Sequence, residues 1–342
     1  MSPDAARWIR IWLIVLALMV YAMILIGGAT RLTDSGLSIT EWEPIKGMLP
    51  PLSEAAWLVE FEKYKGTAEF QQVNFNMTMA EFQFIYWWEW GHRLFGRLIG
   101  LVAVVGFAIF AAQKWLDRKW TVRLLVLITL GGLQGAIGWW MVASGIGETT
   151  RVDVAPYRLM THFGLALFII AVIAWFWLDL RQRDGRPLAV SRGVKVLALA
   201  LLVLTSVQMA GGALVAGLDA GRTYTDWPLM NGEFFPSNYV QTDLGVRSLF
   251  EGRAATQFNH RFLAYVLWAL AIGAAVWQAR GVLGRQFVIL AVLVSAQAVW
   301  GILTLVSAAP MSLALVHQGL GVIVLLSAVH LVWRSRGLVT AR

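Results

Sequence analysis

The sequence predicts an all-α integral membrane protein, with eight transmembrane helices arranged as two tandem-repeated four-helix bundles. Three observations carry that prediction: a series of long apolar runs, a one-sided distribution of basic residues, and motifs that recur in the same order in each half. Of the 342 residues, 58% are hydrophobic and only 14% are charged, against roughly a quarter charged in a soluble domain. Lipid is therefore the expected solvent.

The apolar runs fall at 11–29, 84–112, 122–143, 158–180, 194–217, 254–280, 286–308 and 311–333. At about 1.5 Å per residue, each can cross a hydrocarbon core of about 30 Å. The first run follows Arg7 and Arg10 in the manner of a secretory signal. It is long, however, ends in Gly27-Gly28 and lacks a small-x-small cleavage site, so it is expected to stay as the first helix. Many of the 18 Trp lie near predicted helix ends, where they suit the membrane–water boundary.

The charge distribution sets the orientation. One side is taken to hold the N-terminus, the C-terminus and the connections between spans two and three, four and five, and six and seven. That side collects sixteen basic and four acidic residues, including Arg7, Lys114, Arg118, Arg183, Arg186 and Arg342. The rest of the chain holds twelve basic and sixteen acidic residues. The asymmetry predicts a cell inner membrane with both termini cytoplasmic. It also accounts for the net charge of +8, so no nucleic-acid partner is expected. The chain has no cysteine, which excludes disulfides, thiolate ligands and iron–sulfur clusters.

Two outer connections, 30–83 and 218–253, are long enough to cover a site or receive a partner, and their sequences repeat. IGGATRLTDSGLSITEWEPIKGMLPP at 26–51 corresponds to AGGALVAGLDAGRTYTDWPLMNGEFFP at 210–236. GHRLFGRLIG at 91–100 corresponds to NHRFLAYVLW at 259–268, and LQGAIGWWMVASG at 133–145 to AQAVWGILTLVSA at 296–308. MTHFGLALFII at 160–170 corresponds to LVHQGLGVIVL at 315–325. The shared order in both halves marks a duplication. Four helices per half is an even number, so both halves enter from one side and their axis runs along the membrane normal. The expected halves are 1–183 and 184–342.

Four of the five histidines sit at repeat-equivalent places: His92, His162, His260 and His317, on the second, fourth, sixth and eighth spans. Each lies a few residues past an outer helix end, roughly 6–12 Å deep, two per half. Paired imidazoles in a four-helix bundle are a recognised way to hold haem, and a neutral imidazole supplies an iron ligand without burying net charge. Gly91, Gly96, Gly164 and Gly319 beside them would let a flat macrocycle approach, with propionates expected outward near arginines and loop amides. Zinc and copper sites gather more ligands, often carboxylate or thiolate. Interhelical hydrogen bonding is the plainer alternative. His330 has no repeat partner and reads as an interfacial residue.

The halves differ in chemistry. Glu89 stands one turn before His92, whereas Gln257 stands one turn before His260. A carboxylate at this depth is costly and usually functional. Glu89 could stabilise developing positive charge or move a proton; pairing only with Arg93, or anchoring the helix end, is the competing reading. Arg93 and Arg261 follow His92 and His260 directly, either to meet propionates or loop carbonyls or to snorkel. Gln134 and Gln297 correspond and read as interhelical glue.

Six stretches then carry a resemblance along almost the whole chain: IGGATRLTDSGLSITEWEPIKGMLPPLS, EWGHRLFGRLIG, RLMTHFGLALF, TYTDWPLMNGEFFP, FNHRFLAY and VHQGLG. Together they resemble the haem A synthase family, in its cysteine-free, mitochondrial- or alphaproteobacterial-like branch. The resemblance implies oxidation of the C8 methyl of haem O to a formyl group, through hydroxylated intermediates, for cytochrome oxidase biogenesis. It implies haem b as cofactor on His260 and His317. It implies the substrate haem O between His92 and His162, with Glu89 as the catalytic carboxylate. It also brings in haem O synthase as a partner and an unidentified membrane electron acceptor, and it leaves a homo-oligomer open. The main alternative is a membrane di-haem b-type electron-transfer protein. Four histidines at one depth argue against that alternative, because transmembrane electron transfer usually stacks haems at two depths.

Overall fold

All eight apolar runs form helices in the computed structural model, which describes residues 1–181 and 189–337. The helices are α1 (Pro3–Leu32), the short α2 (Glu54–Lys65) and α3 (Ala68–Gln72), α4 (Met79–Ala112), α5 (Arg118–Val142) and α6 (Pro156–Arg181). After them come α7 (Arg192–Gly217), the single-turn α8 (Ser248–Glu251), α9 (Arg253–Trp277), α10 (Gly284–Val306) and α11 (Met311–Ser335). Eight of these are long and apolar enough to cross a membrane, and the chain is a multi-pass membrane protein. The expected boundary at 183/184, together with Arg183, Asp184, Arg186 and Arg342, lies outside the described residues.

Caps explain why several helices outrun their apolar runs. At the start of α4 the Thr78 N–H donates to Glu81 Oε2 at 2.8 Å, while the Glu81 N–H donates back to Thr78 Oγ1 at 3.4 Å. This capping box satisfies two orphan amides and starts the helix five residues before the apolar pattern. Asp117 caps α5 by accepting from the Trp120 N–H at 2.8 Å, and Ser191 caps α7. Side chains such as Leu18, Leu101, Val203 and Val292 point outward and are more than half exposed. In water that would be an aggregation surface; on transmembrane helices it is the face that lipid covers.

The described chain divides into two compact units, Leu18–Ala166 and Met1–Ala17 with Leu167–Arg342, with cuts inside α1 and α6. In the second unit α7, α9, α10 and α11 share a core of Ala198, Leu201, Leu267, Phe287, Leu290, Ala328 and Leu331. Small residues there let the helices approach closely. In the first unit the outer turns of α4 pack on α2 through Phe61, Tyr64, Phe82, Ile85 and Tyr86, with Trp57 against the same cluster. Edge-on and stacked ring pairs such as Trp57–Tyr86 at 5.0 Å and Phe61–Phe82 at 4.9 Å lock the outer connection onto α4. This extension places His92 thirteen residues into α4, whereas His162, His260 and His317 lie within seven residues of their helix starts.

Candidate functional site

Each of the four histidine rings rests on a glycine of the transmembrane helix before it. A Cβ on Gly138 of α5 would stand 2.8 Å from His162 Cε1, and one on Gly301 of α10 would stand 2.7 Å from His317 Cε1. The corresponding approaches are 3.1 Å from Gly212 to His260 Cε1 and 3.3 Å from Gly27 to His92 Nε2. Carbon atoms pack best at about 3.5–4.0 Å, so a side chain at either of the first two positions would force the imidazole to shift. These supporting glycines are not those beside the histidines in sequence, which were expected to leave room for a macrocycle. Gly91 and Gly164 face open space, and Gly96 faces Met23. The contact comes from across the helix pair, which spacing along one helix does not display.

Glutamine amides accompany three of these glycines. Nε2 of Gln134, Gln208 and Gln297 donates to the backbone carbonyl of His162, His260 and His317 at 3.0, 2.9 and 2.9 Å. The same nitrogens lie 3.1–3.5 Å from ring nitrogens of those histidines. Gln134 and Gln297 are thus interhelical links, as expected, and Gln208 is a third that the repeat comparison did not single out. Its signal was present as Gln-x-x-x-Gly at 134/138, 208/212 and 297/301.

His260 and His317 face each other with ring centroids 6.5 Å apart and planes crossed at 81°. Axial imidazoles on one metal, with bonds of about 2 Å and about 1 Å from each nitrogen to its ring centre, stand about 6 Å apart. The pair therefore fits two axial ligands of one iron. His92 and His162 lie within electrostatic reach of each other in the other unit. Among the described residues no cluster of three or more His, Asp or Glu side chains is suited to a bare metal ion. His330 sits partly buried near the end of α11 and joins neither pair.

Above each pair a glutamate or glutamine and an arginine fasten the outer connection. Glu89 is 3% exposed; its Oε2 accepts from Ser38 Oγ and from the Ile39 N–H, each at 2.8 Å, and its Oε1 meets Arg93. Arg93 also donates to the carbonyls of Ile39 at 2.7 Å and Glu41 at 2.9 Å. In the other unit Gln257 donates to the Tyr224 carbonyl at 2.9 Å, and Arg261 donates to the carbonyls of Tyr224, Asp226 and Leu229 at 3.0 Å. Ile39 and Glu41 stand in the first repeat where Tyr224 and Asp226 stand in the second. Arg93 and Arg261 therefore do the same work, holding loop carbonyls. At the preceding position the polarity reverses: Glu89 accepts from Ile39, and Gln257 donates to Tyr224.

The outer connection of the first unit holds a second buried carboxylate that sequence reading passed over. Glu69 is 4% exposed, bonds the Tyr64 hydroxyl and leaves Oε2 without a partner. Burial, opposed by the Tyr64 bond and helped by the acidic neighbours Asp153, Asp34 and Glu89, pushes its carboxyl up to about 8 in all.

Comparison with known proteins follows the same sequence landmarks. A "Heme A synthase" of Hyphomonas neptunium is 69% identical over 339 residues, covering 98% of this chain and 95% of that protein. Proteins of the same name from Dinoroseobacter shibae and Paracoccus denitrificans are 50% and 48% identical, each covering 91% of this chain and 82% and 83% of their own lengths. The profile of the COX15-CtaA cytochrome oxidase assembly proteins matches residues 10–329, which takes in all four paired histidines, Glu89 and both arginine clamps, and the chain belongs to that family.

Proposed function

We infer that this chain is an oxidoreductase that converts haem O to haem A for cytochrome oxidase. Family membership and near full-length similarity to proteins named Heme A synthase support that activity. The 6.5 Å facing pair His260–His317 is the observation that carries the haem chemistry. His260 and His317 hold a resident haem b, and His92 and His162 hold the substrate haem O. When bound, haem b supplies one-electron transfer. The N-terminal half, 1–183, is the substrate half and the C-terminal half, 184–342, the resident-cofactor half. Both termini face the cytoplasm of the inner membrane. A membrane electron acceptor and haem O synthase complete the working unit, and a homo-oligomer is compatible with it.

The chain's own groups have distinct tasks. The histidines fix the two macrocycles. Gly27, Gly138, Gly212 and Gly301 let the rings approach the helix backbone. Arg93 and Arg261 bring the outer connections down over the pairs and limit access of water. The C8 methyl of the substrate is oxidised through an alcohol, and loss of water from the doubly hydroxylated carbon leaves the formyl group. Glu89 is the carboxylate nearest this chemistry. It stands one turn from His92, where it can stabilise positive charge developing on the substrate or accept a proton. Arg93 and Ser38 keep it oriented, so the pairing with Arg93 serves the catalytic role and does not replace it.

The test is extraction of haem from detergent-purified protein made in cells that also produce haem O. Haem B together with haem O, its alcohol or haem A is expected. Haem B alone, at two per chain, would establish the di-haem electron carrier instead.

A further inference from the structure

Three of the four paired histidines carry an amide from the preceding transmembrane helix, and one does not. Gln134, Gln208 and Gln297 each stand four residues before the glycine that supports a histidine ring. The residue four before Gly27, the glycine under His92, is Met23. The substitution is one of place as well as of register. Gln297 Nε2 lies 3.3 Å from where a Cβ on Gly321 would be, four residues after His317. Met23 Cε lies 3.2 Å from where a Cβ on Gly96 would be, four residues after His92. A thioether therefore occupies, against His92, the position that an amide occupies against His317. No side chain hydrogen-bonds the His92 ring among the described residues.

The three amides also share an unmet need. Oε1 of Gln134, Gln208 and Gln297 is buried without a partner in every case, and so is Nδ1 of His317. An unpaired buried acceptor is costly. Groups that orient a metal-bound imidazole are typically worth about 10–100-fold in binding. In each case the amide Nε2, a donor, is bonded to the histidine carbonyl and lies against the ring, so it fixes where that ring sits. Met23 offers no donor.

We propose that Gln134, Gln208 and Gln297 are positioning residues that lock three of the four haem ligands, and that Met23 leaves His92 as the ligand that releases. The resident pair then has two locked ligands. The substrate pair has one, so haem O enters and haem A leaves by exchange at His92 while His162 keeps hold. This rests on the assignment of the N-terminal pair to substrate.

The experiment uses the full-length protein in detergent, loaded with haem b and haem O. It measures transfer of haem O to excess apomyoglobin alongside the low-spin electron paramagnetic signal of each site. Met23→Gln is expected to slow haem O transfer at least tenfold with an unchanged haem count, and Met23→Leu to leave the rate as it was. Gln297→Met is expected to make the retained haem b transferable, at least tenfold faster than in the parent. Parental transfer rates in Met23→Gln, or in Gln297→Met should Met23→Gln fail to fold, would overturn the amide lock. His162→Ala separates the two levels of inference. Loss of the low-spin haem O signal there upholds the histidine pair, and its persistence overturns the pair and the lock together.

Discussion

The proposed haem site at His260 and His317 predicts that one methyl group added at Gly301 strips the haem without unfolding the helices. The new Cβ would stand 2.7 Å from His317 Cε1 and 3.3 Å from Nδ1, where carbon contacts prefer about 3.5–4.0 Å. The imidazole must retreat by about 1 Å. Metal–ligand distances tolerate only about 0.2 Å, so a ring displaced that far no longer completes an axial pair. Overpacking of this kind costs the fold about 1–3 kcal/mol, which helices with a shared apolar core withstand. Gly301→Ala should therefore be produced as a monodisperse protein whose haem b affinity is at least tenfold lower, with residual haem shifted from low to high spin. The assay is haem-to-protein ratio with the paramagnetic spectrum. Gly273→Ala, where a Cβ meets nothing within 4 Å, is the control and should keep its haem. A Gly301→Ala protein with full low-spin haem b would refute the reasoning that His317 is a ligand held against α10.

Other substitutions separate chemistry from architecture. Glu89→Gln should retain haem b while haem A output falls by about 10²-fold or more, the usual scale for a lost acid–base group. Ser38→Ala is the companion, since it removes a bond between the outer connection and Glu89 while keeping the carboxylate; equal losses in both would remove Glu89 from the chemistry. Arg261→Ala should expose the 218–252 connection to protease, since each bond from a charged donor contributes about 1.5–3 kcal/mol; unchanged cleavage would show that the clamp is idle. Glu69 gives a pH signature. Its carboxyl is raised from 4.5 to about 8, so its contribution to folding is complete below pH 4.5. It is lost as pH rises to 8 and is level above that, on the order of a few kcal/mol in all. Glu69→Gln should flatten the thermal stability of the outer connection across that window, and a variant that keeps the parental slope would refute the assignment.

The membrane fold was legible because apolar length is a property of the chain itself, and the boundaries missed by several residues were those set by caps such as Thr78. The histidine pairs were legible because a side chain with one dominant chemistry recurred at matched positions. Holding loop carbonyls was one of the roles the sequence left open for Arg93 and Arg261; which carbonyls was not legible, because the backbone acceptors at Ile39, Glu41, Tyr224 and Asp226 leave no mark in residue type. The glycines under the rings, Gly27, Gly138, Gly212 and Gly301, were not singled out, since ring contact is decided by helix pairing and not by proximity in sequence. Met23 stood out only when Gln134, Gln208 and Gln297 were seen to share one geometry.

The reversed hydrogen bond at Glu89 and Gln257 bears on how a duplicated chain can diverge. A single change of Gln257 to Glu would set a carboxylate oxygen against the Tyr224 carbonyl at about 3 Å, acceptor facing acceptor. Glu89→Gln can keep its amide oxygen on the Ile39 N–H, so that change is tolerated where the change at Gln257 is not. The Tyr224 carbonyl thus resists a carboxylate at position 257, and a side-chain change there needs a matching change in the outer connection.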